Sequence, residues 1–120
     1  MKKDIQNLII AANKKLSDSY FLLELEAEKK LKDIEPGQFV QVEIPGNKSV
    51  YLRRPFSIHD VEENKIKLLI KIVGKGTQTL SELKKGTALS VIFPLGKGFD
   101  LGYKGNALLI GGGCGIAPLL

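Results

Sequence analysis

The segment RRPFSI, Arg53–Ile58, sets a guanidinium, an aromatic ring and a hydroxyl within a few residues of one another. Side chains alternate between faces on an extended strand, so Arg54 and Phe56 share one face and Ser57 takes the other. A planar cofactor with a phosphate tail requires such a set: a cation for the phosphate, an apolar plane for the ring, a hydroxyl for a ring heteroatom. Pro55 keeps the segment extended and removes a ladder donor, which predicts a sheet edge or opening. The same residues also fit a strand end with a surface arginine pair and a core phenylalanine.

Three glycine-bearing segments follow. In KIVGKGTQTL, Lys71–Leu80, Gly74 and Gly76 permit positive φ and a tight turn. Thr77 would then start a helix whose free N–H groups and dipole attract an anion, with Lys71 and Lys75 adding charge. An ordinary strand-to-helix turn with a threonine cap fits equally. FPLGKGF, with Pro94, Gly96 and Gly98, is a compact loop or a linker. GGGCGIAP, Gly111–Pro118, follows an aliphatic run. A Gly-rich turn between strand and helix lets a pyrophosphate approach the backbone, although the spacing is not that of the dinucleotide fingerprint.

The elements that must position these residues are short strands separated by turns. In SYFLLELEA, Phe21, Leu23 and Leu25 share one parity, and KIKLLIKIVG alternates in the same way before Gly74. With NLIIAANKKL, EPGQFVQVEIPG, RRPFSIHD and TALSVIFPLG, these make six strands at roughly ten-residue spacing, which suggests an antiparallel barrel or sandwich. TQTLSELKKG is the one helix, with Thr77 or Thr79 as N-cap and Gly86 as stop. NALLIGGG differs from the other strands. It has no alternation, as in a strand buried on both faces of a parallel sheet, and Pro118 suits the first turn of a helix. It reads as the first half of a βα unit.

Composition excludes several classes. The chain has 120 residues, 43% hydrophobic and 26% charged, with a formal charge of +5; this describes a folded domain with a real core. One cysteine, Cys114, excludes an internal disulfide and any metal cluster held by this chain's cysteines alone. It reads as a small filler in the glycine loop. His59, beside Asp60, reads as a surface histidine. The lysines are scattered in pairs and no basic stripe carries interleaved aromatics, so nucleic acid is not the expected partner. No targeting segment is evident, and no apolar run reaches the roughly 20 residues of a membrane span. A cytoplasmic location is expected.

RRPFSI, VGKGTQTL, PLGKGF and LLIGGGCGIAPLL, in this order, resemble the ferredoxin-reductase superfamily. The combination of RRPFSI with GGGCGIAPL is most similar to the electron-transfer subunits of class B dihydroorotate dehydrogenases. The resemblance covers nearly the whole chain and about the first half of a typical family member. It implies a mainly β fold: a six-stranded antiparallel Greek-key barrel with one short helix over residues 1–102, which binds FAD. Residues 103–120 would be the first strand and loop of a truncated α/β NAD-binding domain.

The resemblance also implies residue roles. Arg54 would pair with the FAD pyrophosphate. Pro55 and Phe56 would lie along the flavin, and Ser57 would point at its reactive edge. Leu69, Ile70 and Lys71 would line the cofactor by backbone and side chain, and Gly76 and Thr77 would meet the phosphates at the helix start. Gly111, Gly112, Gly113 and Gly115 would form the NAD loop, not a working NADH site without the rest of its domain; the apolar tail would fold back on the barrel or pair with another copy. Many superfamily members have tyrosine where this chain has Phe56, which removes a phenolic hydrogen bond and keeps the stacking surface. No catalytic acid or base and no metal ligand is implied in this chain. The full-length protein would take hydride from NADH and pass electrons through a [2Fe-2S] cluster to an FMN-containing dihydroorotate dehydrogenase catalytic subunit. The two would form a hetero-oligomer serving pyrimidine biosynthesis, and this chain alone would lack NADH-dependent activity. The alternatives are the FAD-binding part of another NAD(P)H:ferredoxin or sulfide oxidoreductase subunit, or a basic β-barrel that binds nucleic acid.

Overall fold

A computed structural model describes residues 4–29, 31, 34–35, 37–45 and 53–96. The expected NAD-binding segment, 103–120, lies outside them, as do Gly111, Gly112, Gly113 and Gly115. The described elements are β1 (Asp4–Lys15), β2 (Tyr20–Glu26), β3 (Phe39–Val42), β4 (Arg54–Ser57), β5 (Asp60–Glu62), β6 (Lys65–Lys71), α1 (Lys75–Glu82) and β7 (Ala88–Leu95). All strand pairs are antiparallel, in the order β4-β3-β7-β1-β2-β6-β5. Strand β7 returns to lie between β1 and β3, the long crossover of a Greek key.

The sheet has seven strands where the sequence predicts six. RRPFSIHD accounts for the difference, because it supplies both β4 and the start of β5, the two sheet edges. The backbone N–H of Ile58 donates to Gln38 O (3.1 Å), on the β3 side, and that of His59 donates to Lys67 O (2.9 Å), on β6. Three peptide steps from Ser57 to Asp60 span at most about 10 Å. A flat sheet of this many strands would hold its edges roughly 29 Å apart. The sheet is therefore curled until its edges meet, and residues 57–60 form the seam.

Inside the barrel the alternation becomes burial. Phe21, Leu23 and Leu25 of β2 face Ile66, Leu68 and Ile70 of β6, and Leu8, Ile10, Val40, Val42, Leu89, Val91 and Phe93 complete the same core. On the outer face Lys67 lies 3.3 Å from Glu62 Oε2 and 3.9 Å from Glu24 Oε1. The hydrogen bond that Lys67 donates to Glu62 is the main cause of its pKa lying above the ordinary lysine value. The lysine's share of this stability is fully present at neutral pH and is lost as pH rises through the raised value.

Helix α1 starts two residues earlier than Thr77, with Gly74 as N-cap, and ends at Glu82. Thr77 acts from inside the first turn: its hydroxyl accepts from the N–H groups of Val73 (2.8 Å) and Gly74 (3.2 Å). Thr79 bonds back to Lys75 O instead of capping. Gly86 is a turn residue with φ 94° ahead of β7, not the helix stop. The helix end is met by Asn13 of β1, whose Nδ2 donates to the carbonyls of Leu80 (3.0 Å), Ser81 (3.3 Å) and Leu83 (2.9 Å). An eight-residue helix is too short to be stable alone, so buried Leu80 at its middle and Asn13 at its end fix its place. Replacing Asn13 by Ala should lower unfolding free energy by about 1–3 kcal/mol, the cost of orphaned carbonyls. Asn13→Asp should cost more, because a carboxylate cannot donate and faces the negative helix end. Urea unfolding of both variants at neutral pH measures the order.

Candidate functional site: a cationic cleft at the barrel seam

Among the described residues strand β4 pairs with β3 on one side only, with Arg54 opposite Val42, Pro55 opposite Gln41 and Phe56 opposite Val40. Pro55 thus stands in an edge strand, where its missing donor costs nothing in the ladder. Beside this edge the start of α1 and the link that joins it to β6 close a cleft of about 240 Å³, lined by Arg54, Pro55, Phe56, Val73, Gly74, Gly76 and Thr77. Phe56 packs half-buried against the core and forms an apolar wall. Val73, 75% exposed, supplies apolar surface opposite.

The two arginines have different tasks. Arg53 donates from Nη1 to Ser90 O (2.8 Å) and from Nη2 to Ser90 Oγ (2.8 Å), and its Nη2 lies 3.3 Å from Glu43 Oε2. Arg54 is exposed and has no ion pair among the described residues. Its side chain runs over the first turn of α1 so closely that a Cβ on Gly76 would lie 3.2 Å from Arg54 Nε. Gly76 leaves room for this approach, and a larger residue would press the Arg54 side chain aside by a few tenths of an ångström; a positive φ is found at neither Gly74 nor Gly76. The first-turn N–H groups of α1, which have no side-chain cap among the described residues, stand at the same place. No acidic residue occupies that turn, and Lys75 is its first residue. Positive charge thus accumulates where the helix dipole is already positive, which favours an anion.

Five expected site residues, Arg54, Pro55, Phe56, Gly76 and Thr77, come together in one cleft. Ser57 lies next to it on β4, exposed, on the other strand face. Leu69, Ile70 and Lys71 are not in the cleft lining. Ile70 is buried in the core, Leu69 is half-buried, and Lys71 is exposed with its ammonium 6.0 Å from the Tyr20 ring centre. Ile70 can therefore offer a ligand only backbone. Val73 and Gly74 are the lining residues absent from the expected set; adjacent apolar Ile72 and Val73, which break the β6 alternation, are the signal for the first. Among the described residues no group of His, Cys, Asp and Glu could hold a metal ion, and no helix is long and apolar enough to cross a membrane.

Residues 7–99 match the family described as the oxidoreductase FAD-binding domain. The chain belongs to this family. It is 38% identical over 111 residues to the electron transfer subunit of dihydroorotate dehydrogenase B (NAD(+)) of Caldanaerobacter subterraneus subsp. tengcongensis, covering 92% of this chain and 43% of the relative. It is 33% identical over 120 residues to the subunit of the same name from Fusobacterium nucleatum subsp. nucleatum, covering 96% of this chain and 46% of the relative. The chain thus spans less than half the length of these curated relatives. A solved NADH-dependent reduced ferredoxin–NADP oxidoreductase superposes with a TM-score of 0.83 at 32% identity, over 95% of this chain and 41% of the other.

The cleft suits the cofactor of this FAD-binding family. Its donor set combines an unpaired guanidinium, free helix N–H groups and a glycine whose Cβ would crowd the cation, beside an aromatic wall. That is chemistry for a phosphate joined to a planar ring system. Gly76→Ala separates fold from site. Alanine favours helix by roughly 0.8–1 kcal/mol over glycine in helix interiors, so stability should hold or rise slightly. The added methyl should displace the Arg54 guanidinium and weaken FAD binding several-fold. Thermal unfolding together with FAD titration tests both halves.

Proposed function

We propose that this chain is the FAD-binding part of an electron-transfer subunit of a class B dihydroorotate dehydrogenase. The full subunit would carry electrons between NADH and an FMN-containing catalytic subunit in pyrimidine biosynthesis. The observation that carries the reading is the convergence of Arg54, Phe56 and the α1 start in one cleft, within a chain 33–38% identical to subunits of that name.

In this reading Arg54 and the N–H groups of Gly76 and Thr77 bind the pyrophosphate of FAD. Pro55 and Phe56 hold the flavin plane and exclude water from one face, and Ser57 stands near its polar edge. Leu69, Ile70 and Lys71 contribute backbone or outer-face contacts from β6. When bound, FAD supplies the redox chemistry, accepting a pair of electrons and releasing them singly. The protein's own task is binding and orientation, and no side chain needs to act as acid or base. The barrel would occupy residues 1–102. Residues 103–120, with Gly111, Gly112, Gly113 and Gly115, would begin the NAD-binding domain, and the [2Fe-2S] cluster would be held elsewhere in the full subunit. Assembly with the catalytic subunit as a cytoplasmic hetero-oligomer belongs to the same proposal.

A second reading, a subunit of another NAD(P)H-linked reductase, is supported by the 32% identity to the ferredoxin–NADP oxidoreductase. The purified chain titrated with FAD should turn yellow and quench flavin fluorescence on a saturable curve. Arg54→Ala should weaken binding about 10- to 150-fold, the worth of a charge-assisted hydrogen bond. Absence of any flavin binding would sink both readings. Affinity co-purification of the full subunit from its host distinguishes them: capture of a dihydroorotate-oxidising, FMN-containing protein supports the first, and capture of a different redox partner supports the second.

A further inference from the structure

Adjacent arginines on one strand must point to opposite faces, and this pair does so with unequal partners. In the cross-strand rows, Arg54 stands opposite Val42, and Val42 opposite Val91. The next row holds Arg53, Glu43 and Ser90, with the Glu43 N–H donating to Ser90 O (3.0 Å). The Arg53 side chain therefore crosses β3 completely and takes hold of β7, two strands away, by both the carbonyl and the hydroxyl of Ser90. It is 21% exposed, whereas Glu43 is 62% exposed, so the hold on Ser90 is the sheltered part of this contact.

Strand β4 needs such a hold. Its ladder with β3 is four pairs long, and among the described residues its other side has no strand neighbour. So short a ladder on a single partner specifies register weakly. Slippage by one residue exchanges faces. It would put Arg53 where Arg54 stands and Pro55 where Phe56 stands, and the cleft would lose its aromatic wall while keeping a cation. The charge at the site is thus tolerant of a slip, and the ring is not. Ser90 can be gripped by both tines of the fork only from the observed register.

From this geometry we infer that Arg53 is a positioning residue for the cleft: its fork on Ser90 pins β4 in register, so that Arg54 lies over Gly76 and Phe56 forms the wall. The inference rests on the reading of the cleft as a flavin site. A lysine replaces it poorly, because a single ammonium on a flexible stem lacks the two fixed nitrogens that meet carbonyl and hydroxyl separately.

The test is a double-mutant cycle on FAD affinity, measured by flavin fluorescence quenching with the full chain. The variants are Arg53→Ala, Arg53→Lys, Arg54→Ala and each Arg53 variant combined with Arg54→Ala. Arg53→Ala should weaken FAD binding about tenfold when Arg54 is present and clearly less when Arg54 is absent, since its effect passes partly through Arg54. Arg53→Lys should behave like the alanine variant. Equal fold-losses in both backgrounds would overturn the inference, because general destabilisation of the fold acts alike in both. Unchanged affinity in Arg53→Ala, or full affinity in Arg53→Lys, would overturn it as well. Should Arg53→Ala fail to fold, Ser90→Ala removes one tine of the fork and runs through the same cycle with the same two outcomes. Loss of the Arg54→Ala effect itself would instead remove the reading of the cleft, and the inference with it.

Discussion

Everything in this domain depends on a chain that has to leave one sheet edge and reach the other within residues 57–60. Ile58 bonds toward β3 and His59 toward β6, so the backbone itself closes the barrel. Closure removes most of the edge-pairing hazard of an all-β domain. It does so at a cost in local regularity: the strand entering the seam is four residues long and contains Pro55. A seam made by crossing chain rather than by a continuous ladder leaves room beside it. The link after β6 and the start of α1 line that room, which is why the cleft lies at this point of the barrel wall.

The helix follows from the same constraint. It has to present its start to the seam, but it is too short to hold its own position. Three contacts hold it. Leu80 is buried in the barrel core, the Thr77 hydroxyl ties the first turn to Val73 and Gly74, and Asn13 meets the last carbonyls from β1. Asn13 also supplies at the negative end the positive dipole that helices ordinarily take from lysine or arginine; the last turn of α1 has no basic residue. The helix end is thus tied to a central strand of the barrel, and the helix start has no acidic residue in its first turn.

How much of this can be seen in the sequence varies with the range of the interaction. The alternation of Phe21, Leu23, Leu25 and of Ile66, Leu68, Ile70 is local, and it sorts inward from outward side chains correctly. Pro55 marks an edge for a local reason too. The split of RRPFSIHD into two strands is not local, because it requires knowledge of which partners flank each half. Thr77 shows the limit within one turn: a hydroxyl at a helix start suggests an N-cap, but here it bonds backward from inside the helix, so the N-cap shifts by three residues, to Gly74. Gly76 invites an argument from φ and is explained instead by the Arg54 side chain lying against it. Asn13 gives no signal at all, since its acceptors are 67 to 70 residues away. That the two arginines face opposite ways is legible from parity. That the first grips Ser90 and the second is unpartnered requires the third strand of the row.

The unpartnered arginine is best understood as a local rule left unmet. Helix starts ordinarily carry acidic residues, which neutralise the positive end of the dipole. This one has Lys75 at its first position, Arg54 laid across its second, and no carboxylate in the turn. Three cations elsewhere in the described structure do have carboxylate partners: Lys67 sits among Glu24 and Glu62, Lys15 with Asp18, and Arg53 with Glu43. A helix start with two cations and no carboxylate in its first turn holds a small electrostatic conflict in the folded state. Such a conflict weakens the apo domain locally and is relieved by an anion that spans the guanidinium and the helix N–H groups. Relief of that repulsion adds to the binding energy without any further contact. The same carboxylate that would settle the conflict in the free protein would oppose the phosphate, so stability of the helix start and affinity at the cleft pull against each other at these residues.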